Sequence, residues 1–136
     1  MKWMMYTDGA SRGNPGEAGA GALLVSAGGK EIPLSRYLGT KTNNQAEYAA
    51  LLMGLEELKK QKAGEVEIRA DSELMVRQLK GEYRVKNEGL IPYYEKAKNL
   101  LKSFEKVSFC HVPREENKEA DKLANEAIDF KDVLSH

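Results

Sequence analysis

A helix with one carboxylate on its apolar side places the strongest constraint on how this chain folds. Residues 42–45 read Thr-Asn-Asn-Gln, which has the form of a capping box and predicts a helix that begins at residue 43. Leucines at helical spacing extend this pattern to residue 60. Glu47 is spaced to share a helix face with Leu51, Gly54 and Leu58, which is the face that should be buried. Of all the acids in the chain, Glu47 is therefore the hardest to explain as a surface charge.

The remaining segments predict a mixed α/β sheet with helices packed on it. Strand patterns occupy residues 2–7, 20–26, 31–38, 66–70 and 106–112, and helical patterns occupy 43–60, 72–81, 90–103 and 117–128. The glycine-rich stretch 8–19 predicts a long loop, and Gly28-Gly29 predicts a hairpin turn. Pro33 predicts an edge strand because proline lacks an amide donor, and Asn117 predicts the N-cap of the last helix. The first three strands are thus predicted to form an antiparallel meander, and the later strands to join the sheet through parallel crossovers.

Length and charge limit the classes to which the chain can belong. With 136 residues it has the size of one domain, and we expect that domain at 1–128 and a frayed tail at 129–136. Lys plus Arg is 21 and Asp plus Glu is 21, which disfavours a polycation that binds nucleic acid through bulk charge. A single cysteine excludes an intramolecular disulfide. No apolar run is long enough for a membrane span, so we expect a cytoplasmic protein. We also expect a monomer with no obligatory protein partner.

Four acids fall where the predicted elements could bring them together. Asp8 and Asp71 follow strands, Glu47 lies on the inner face of a helix, and Asp121 lies in the first turns of the last helix. Carboxylates in one cleft repel one another unless cations bind between them, and hard oxygen ligands favour Mg²⁺ or Mn²⁺ over zinc. Two such ions would support in-line hydrolysis of a phosphodiester. In the structural alternative, Asp8 forms an Asx turn and Asp71 caps a helix.

Four motifs in the chain resemble those of the ribonuclease H type 1 family. They are TDGASRGNPG at 7–16, TNNQAE at 42–47, ADS at 70–72 and VPREENKEADKLAN at 112–125. Their order and spacing match the family, and the resemblance extends from residue 1 to about residue 128. It implies a ribonuclease H-like catalytic domain with a five-stranded mixed sheet in the order 3-2-1-4-5, flanked by helices.

The resemblance also implies an activity and a cofactor. It implies an endonuclease that cuts the RNA strand of RNA/DNA hybrids with two Mg²⁺ ions, for which Mn²⁺ is a possible substitute. The products implied are a 5′-phosphate and a 3′-hydroxyl. The positions that match the metal-binding, catalytic acids of the family are Asp8, Glu47, Asp71 and Asp121.

Further positions match substrate contacts of the family. Asn14, Asn43 and Asn44 match residues that contact the hybrid. Thr42 matches a contact to a DNA phosphate, and Ser72 matches a residue near the 2′-hydroxyl. These roles are physically reasonable because a helix N-terminus offers N–H groups to phosphate and side-chain amides can reach minor-groove edges. Thr42 and Asn14 would also serve as cap and turn residues in any protein.

The chain departs from the family pattern in three places. At one of them, Glu73 stands where some relatives have an amide, which removes a donor that could hold a phosphate. Many relatives have a mobile-loop histidine shortly before the last aspartate, and His111 matches it by count. His111 lies before a strand end, however, and we favour Arg114 for a role that assists catalysis. Several relatives also carry a basic, tryptophan-bearing protrusion, which is replaced here by GEYRVKNEG at 81–89. Binding of a hybrid must then depend on Arg84, Lys86 and their neighbours, or be weak.

Two other functions remain open from the sequence. One is a nuclease on the same fold that acts on DNA alone, which the asparagine pair at 43–44 and the Asp-Ser motif at 71–72 disfavour. The other is a non-catalytic module that binds hybrids. Retention of all four acids weighs against a pure binder, because a binder would gain from basic residues at these positions.

Overall fold

The computed structural model describes residues 1–131, which form a five-stranded sheet in the order β3-β2-β1-β4-β5. The strands are β1 (Lys2–Gly13), β2 (Gly16–Ser26), β3 (Glu31–Lys41), β4 (Glu65–Ala70) and β5 (Lys106–His111). The helices are α1 (Asn43–Lys60), α2 (Glu73–Leu79), α3 (Ile91–Leu101) and α4 (Lys118–Asp129), with a 3₁₀ turn at Arg114–Glu116. This topology confirms the predicted fold class. Among residues 1–131, no helix has the length and apolar character needed to cross a bilayer.

The meander and the crossovers pair as the sequence predicts. β1 is antiparallel to β2 and β2 to β3, whereas β4 runs parallel to both β1 and β5. β3 lies at the sheet edge, where Pro33 pairs with Leu23 without needing to donate to a further strand. The parallel register of β1 with β4 ends at Thr7 and Ala70. Asp8 and Asp71 therefore both lie one residue beyond that last pair.

The predicted glycine loop at 8–19 is wrong, because both strands continue through it and only residues 14 and 15 lie between them. Two of the glycines in this stretch allow close packing of helices on the sheet. A Cβ at Gly9 would lie 2.2 Å from the main-chain carbon of Ala46 in α1, and a Cβ at Gly19 would lie 2.2 Å from the carbonyl oxygen of Ala124 in α4. A glycine run thus marks two helix contacts here, a pattern that composition alone cannot separate from a loop.

α1 has the bounds and the cap that the sequence predicts. The Thr42 hydroxyl accepts from the Gln45 N–H and the Gln45 side chain accepts from the Thr42 N–H, which completes the capping box. The helix lies over β1 at Gly54, where an added Cβ would lie 2.2 Å from the sulfur of Met5. Leu51, Leu55 and Leu58 are fully buried on this side. Glu47 is buried with them, as predicted.

The last helix begins differently from the prediction. Asn117 occupies the N-cap position of α4, but its side chain makes no capping hydrogen bond. Its Nδ2 instead donates to the Thr7 carbonyl oxygen at 2.8 Å. At the other end of α4, Asp129 forms a 2.7 Å ion pair with Arg12. Of the tail expected to fray, residues 132–136 lie outside the described part of the chain, and the domain boundary stays a prediction.

Candidate active site

Three carboxylates converge at the end of the central strands. Oxygen atoms of Asp8, Glu47 and Asp71 all lie within 4.8 Å of one another. Asp8 and Asp71 reach this point because β1 and β4 are parallel and end their pairing side by side. Glu47 reaches it from the buried face of α1, since Gly9 lets the helix approach the strand at this level. Three elements that are distant in sequence thus place acidic groups together.

A main-chain hydrogen bond holds one of the two carboxylate oxygens of Glu47. The Gly9 N–H donates to its Oε1 at 2.9 Å, and its Oε2 is buried with no hydrogen-bond partner among residues 1–131. Burial raises the pKa of Glu47 to about 7, while hydrogen bonding with the Asp8 carboxyl and then with the Gly9 N–H acts in the opposite direction. A buried carboxylate oxygen without a donor is a free ligand position.

Asp8 shows the electrostatic cost of the cluster most clearly. Its pKa rises well above the ordinary range, first because of burial and then because Glu47 and Asp71 are nearby negative charges. Holding these acids ionised at neutral pH therefore requires positive charge between them. The all-oxygen donor set matches the preference of Mg²⁺ and Mn²⁺ and offers no nitrogen or sulfur for zinc. On both counts the residues present fit a hard divalent cation.

Asp121 lies at the side of the cluster rather than within it. It projects from the first turns of α4, is half-buried and lines the same cleft as the three other acids. It also faces Asp8 closely enough to raise the pKa of that carboxyl. Its Oδ1 accepts a 3.2 Å hydrogen bond from Asn125. The structure thus brings all four predicted acids to one cleft. Three form a compact group at β1, α1 and the end of β4, here named the β1–α1–β4 wall, and the fourth lies at the start of α4, which together with the preceding 3₁₀ turn is named the α4 wall.

The cleft is open and polar, with a volume of about 470 Å³. Besides the four acids, its lining includes Asn43, Asn44, Ser72, His111 and Arg114. An open cleft of this kind suits an extended ligand better than a small molecule that must be enclosed. Three of the five residues predicted to contact substrate, Asn43, Asn44 and Ser72, therefore line it.

The other two predicted substrate residues, Asn14 and Thr42, do not line the cleft and lie beside it. The Asn14 Oδ1 accepts from the Asn43 N–H at 3.1 Å, and the Thr42 hydroxyl accepts from the Gln45 N–H at 3.1 Å. These main-chain donors of α1 are occupied by the protein's own side chains. The N–H groups of Asn43 and Gln45 are therefore not free for a phosphate, whereas the side chains of Asn43 and Asn44 are exposed.

Arg114 and His111 both line the cleft, Arg114 just before α4 and His111 at the end of β5. Arg114 lies in the 3₁₀ turn, with its Nε 3.9 Å from Asp71 Oδ2 and its side chain 86% exposed. His111 is the last residue of β5 and is exposed. Both can reach a ligand in the cleft, so the geometry leaves the choice between them to experiment.

The segment at 81–89 lies to one side of α1. Arg84 and Lys86 are exposed, and the ring of Tyr83 is 46% exposed with the Arg77 guanidinium 5.3 Å from its centre. The Gln45 side-chain amide donates to the Gly89 carbonyl oxygen at 3.4 Å, which ties this segment to the start of α1. The segment contains two cations, Arg84 and Lys86, and neither lines the cleft that holds the acids.

Sequence reasoning missed two residues of the site. Gly9 supplies both the hydrogen bond to Glu47 and the space for α1. Asn117 supplies the hydrogen bond that joins β1 to the start of α4. The adjacency of Gly9 to Asp8 is a visible signal, whereas nothing in the sequence separates a capping asparagine from one that donates across the fold.

Comparison with known proteins places these features in a family. A family model described as reverse transcriptase-like matches residues 6–127. The chain is 45% identical over 125 residues to Ribonuclease HI of Halobacterium salinarum, covering 91% of this chain and 63% of that protein. It is 33% identical over 139 residues to Ribonuclease H of Pseudomonas fluorescens, covering 92% of this chain and 91% of that protein.

A solved structure shows the same likeness in three dimensions. LC11-RNase H1 in complex with RNA/DNA hybrid superposes with a TM-score of 0.89 at 42% identity, covering 95% of this chain and 98% of that chain. Some relatives are much longer, and the chain spans 36% of the length of the mycobacterial relatives that it matches.

Proposed function

The chain belongs to the ribonuclease H type 1 family, and we propose that it hydrolyses the RNA strand of RNA/DNA hybrids endonucleolytically. The convergence of Asp8, Glu47 and Asp71 within 4.8 Å at the floor of an open cleft is the observation that carries this proposal. The hybrid-bound relative at 42% identity supports the substrate class. We propose 5′-phosphate and 3′-hydroxyl products.

The proposed cofactor is Mg²⁺, two ions in number, with Mn²⁺ as a possible substitute. Asp8, Glu47 and Asp71 would hold the metal through carboxylate oxygens, and Asp121 would contribute from the opposing wall. Bound there, the cations would activate water and neutralise charge on the reacting phosphodiester. The unpaired Glu47 Oε2 and the mutual repulsion of the acids are what make the site fit such ions.

The residues around the acids have distinct proposed tasks. Asn43 and Asn44 project into the cleft, where side-chain amides can contact base edges and 2′-hydroxyls of the hybrid. Asn14 orients the start of α1 through Asn43, and Thr42 stabilises the same turn with its hydroxyl proton still free to donate to a phosphate. The Ser72 hydroxyl accepts from the Met75 N–H and likewise retains a proton for substrate.

Arg114 is proposed to assist the reaction from the exposed side. Its guanidinium lies near Asp71 and has the freedom to move toward a phosphate. A mobile cation of this kind would stabilise negative charge on the substrate and help product leave. His111, which lines the same cleft, is the alternative for this task.

The proposal is tested with an RNA/DNA hybrid labelled at one RNA end. Purified protein is incubated with the hybrid in Mg²⁺, in Mn²⁺ and in EDTA, with single-stranded RNA and duplex DNA alongside. The Asp71→Asn variant serves as the site knockout, and Glu56→Gln removes an acid of α1 that lies outside the cleft and pairs with Lys96.

We expect RNA cleavage in the hybrid alone, loss of cleavage in EDTA and in Asp71→Asn, and normal cleavage by Glu56→Gln. Cutting of duplex DNA would instead support a DNA nuclease on this fold. A shift of the hybrid on a native gel without cleavage in either metal would support a binding module.

A further inference from the structure

One buried asparagine connects the two walls of the cleft. Asn117 is 1% exposed and lies between the 3₁₀ turn that carries Arg114 and the helix that carries Asp121. Its main-chain N–H donates to the Arg114 carbonyl oxygen at 3.0 Å. Its carbonyl oxygen accepts from the Asp121 N–H at 3.1 Å. The main-chain positions of Arg114 and Asp121 are therefore both linked to Asn117.

The Asn117 side chain reaches across to the opposite wall. Its Nδ2 donates to the carbonyl oxygen of Thr7 at 2.8 Å, and Thr7 directly precedes Asp8. Thr7 is also the last residue of β1 that pairs with β4. Beyond it the main chain of β1 is supported on that side by Asn117 in place of a strand partner. Asn117 thus bonds to Arg114, to Asp121 and to the residue next to Asp8.

A purely space-filling role does not account for an amide at this position. The Oδ1 of Asn117 and the neighbouring hydroxyl of Thr7 are both buried without hydrogen-bond partners among residues 1–131. An unpaired buried oxygen is unfavourable, and an apolar side chain of similar volume would avoid it. The amide at this position is explained by the hydrogen bond that its Nδ2 donates to the Thr7 carbonyl oxygen.

We infer that Asn117 is a positioning residue that fixes Asp8 on β1 relative to Asp121 and Arg114 on the opposing wall. This inference rests on the proposed function in so far as those residues bind metal and substrate. Asn117 itself is too deeply buried to touch either. Its effect would pass through the main chain at Thr7 and through the first turn of α4.

The test compares Asn117→Ala with a control that removes a similar tie elsewhere. Ser35 in β3 donates to the carbonyl oxygen of Leu123 at 2.7 Å, so Ser35→Ala also cuts a side-chain hydrogen bond between the sheet and α4. Asn117→Ser is a second variant that keeps a polar group in the pocket with a side chain too short for the same bond. Each protein is studied well below its own melting temperature. The readouts are Mg²⁺ affinity by calorimetry without nucleic acid, and kcat and KM on a hybrid.

For Asn117→Ala and Asn117→Ser we expect Mg²⁺ affinity and kcat to fall by about tenfold to a hundredfold, as when groups that orient metal ligands are removed. KM should change little, because the exposed Asn43 and Asn44 side chains are unaffected. Ser35→Ala should lower the melting temperature without changing Mg²⁺ affinity or kcat.

The inference is overturned if the Asn117 variants lose thermal stability but keep wild-type Mg²⁺ affinity and kcat. It is also overturned if neither variant folds at any temperature, since Asn117 would then be a general structural residue. Failure of the wild-type protein to cut hybrids would refute the proposed function separately. The Mg²⁺ titrations would still decide whether Asn117 positions the acids.

Discussion

The two walls of the cleft are built in different ways. On the β1–α1–β4 wall, Asp8 and Glu47 are 6% and 9% exposed and are fixed by the sheet and by the core beneath α1. On the α4 wall, the side chain of Arg114 is 86% exposed and Asp121 is half-buried. The core holds the acids of the first wall in place before any ligand arrives, whereas the exposed Arg114 side chain of the second wall can adjust around a substrate. The difference separates buried acids, which the fold holds in place, from an exposed cation that can move.

The largest expected effect comes from neutralising an acid on the rigid wall. Asp71→Asn should reduce hybrid cleavage on the order of a thousandfold, the scale lost when one preorganised charge is removed from a catalytic site. Its circular dichroism and melting profile should remain those of a folded protein. Single-turnover cleavage assays measure the effect, with Glu56→Gln as the charge-matched control. A folded Asp71→Asn protein with wild-type turnover would remove Asp71 from the site.

Asp121→Asn should have a smaller effect than Asp71→Asn, and this sharpens the contrast between the walls. Because Asp121 lies outside the three-acid group, an amide there can still orient a ligand through its oxygen. We expect a loss of about tenfold to a hundredfold in kcat. The same assay on both variants checks the order. Equal losses would mean that all four acids act as one unit.

Arg114→Ala should reduce turnover only in part. An exposed cation 3.9 Å from a carboxylate contributes up to about 1 kcal/mol, which corresponds to about fivefold in rate. Lys118→Ala, which removes a neighbouring exposed cation outside the cleft lining, should have no effect. An unchanged rate for Arg114→Ala would transfer the role to His111, and His111→Ala would then be the variant to measure.

The electrostatic cost of the rigid wall predicts a stability that depends on pH. Because the carboxyl pKa values of Asp8 and Glu47 are raised in the folded state, the folded protein binds more protons than the unfolded chain above about pH 4. In EDTA, the melting temperature of the wild-type protein should therefore fall as pH rises through neutrality, and Mg²⁺ should restore it.

Asp8→Asn removes one of the repelling charges and should weaken this dependence. At about pH 8 in EDTA, it should melt a few degrees above the wild-type protein, the shift that about 1 kcal/mol produces in a chain of this size. At about pH 5 the difference should shrink, because the wild-type acids are then largely protonated. Scanning calorimetry at the two pH values checks both parts. A variant less stable than wild type at the higher pH would mean that repulsion does not dominate this wall.

The rigid wall was largely predictable from sequence. The capping box and leucine spacing gave the bounds of α1 and the burial of Glu47, because these signals are local and periodic. The strand ends located Asp8 and Asp71, since parallel strands bring such residues together. The prediction of a loop at 8–19 was wrong, yet the predicted position of Asp8 was right. The pairing of β1 with β4 ends at Thr7, although β1 itself continues.

The other wall was less predictable because its contacts are long-range. Asn117 has the sequence context of a helix cap, and only the fold reveals that its amide reaches β1. The occupied N–H groups at the start of α1 have the same origin, since Asn14 is distant in sequence from Asn43. Glycine composition misled for a related reason: a helix that packs against a strand requires the same residue as a loop.

Titration of Mg²⁺ into the protein without nucleic acid tests the central claim most directly, namely that Asp8, Glu47 and Asp71 form a divalent-cation site. Calorimetry on the wild-type protein and on Asp71→Asn compares the intact cluster with one that lacks a single charge, and Glu56→Gln controls for overall charge. We predict saturable binding to the wild-type and Glu56→Gln proteins that Asp71→Asn loses. Equal binding by all three proteins would contradict the account.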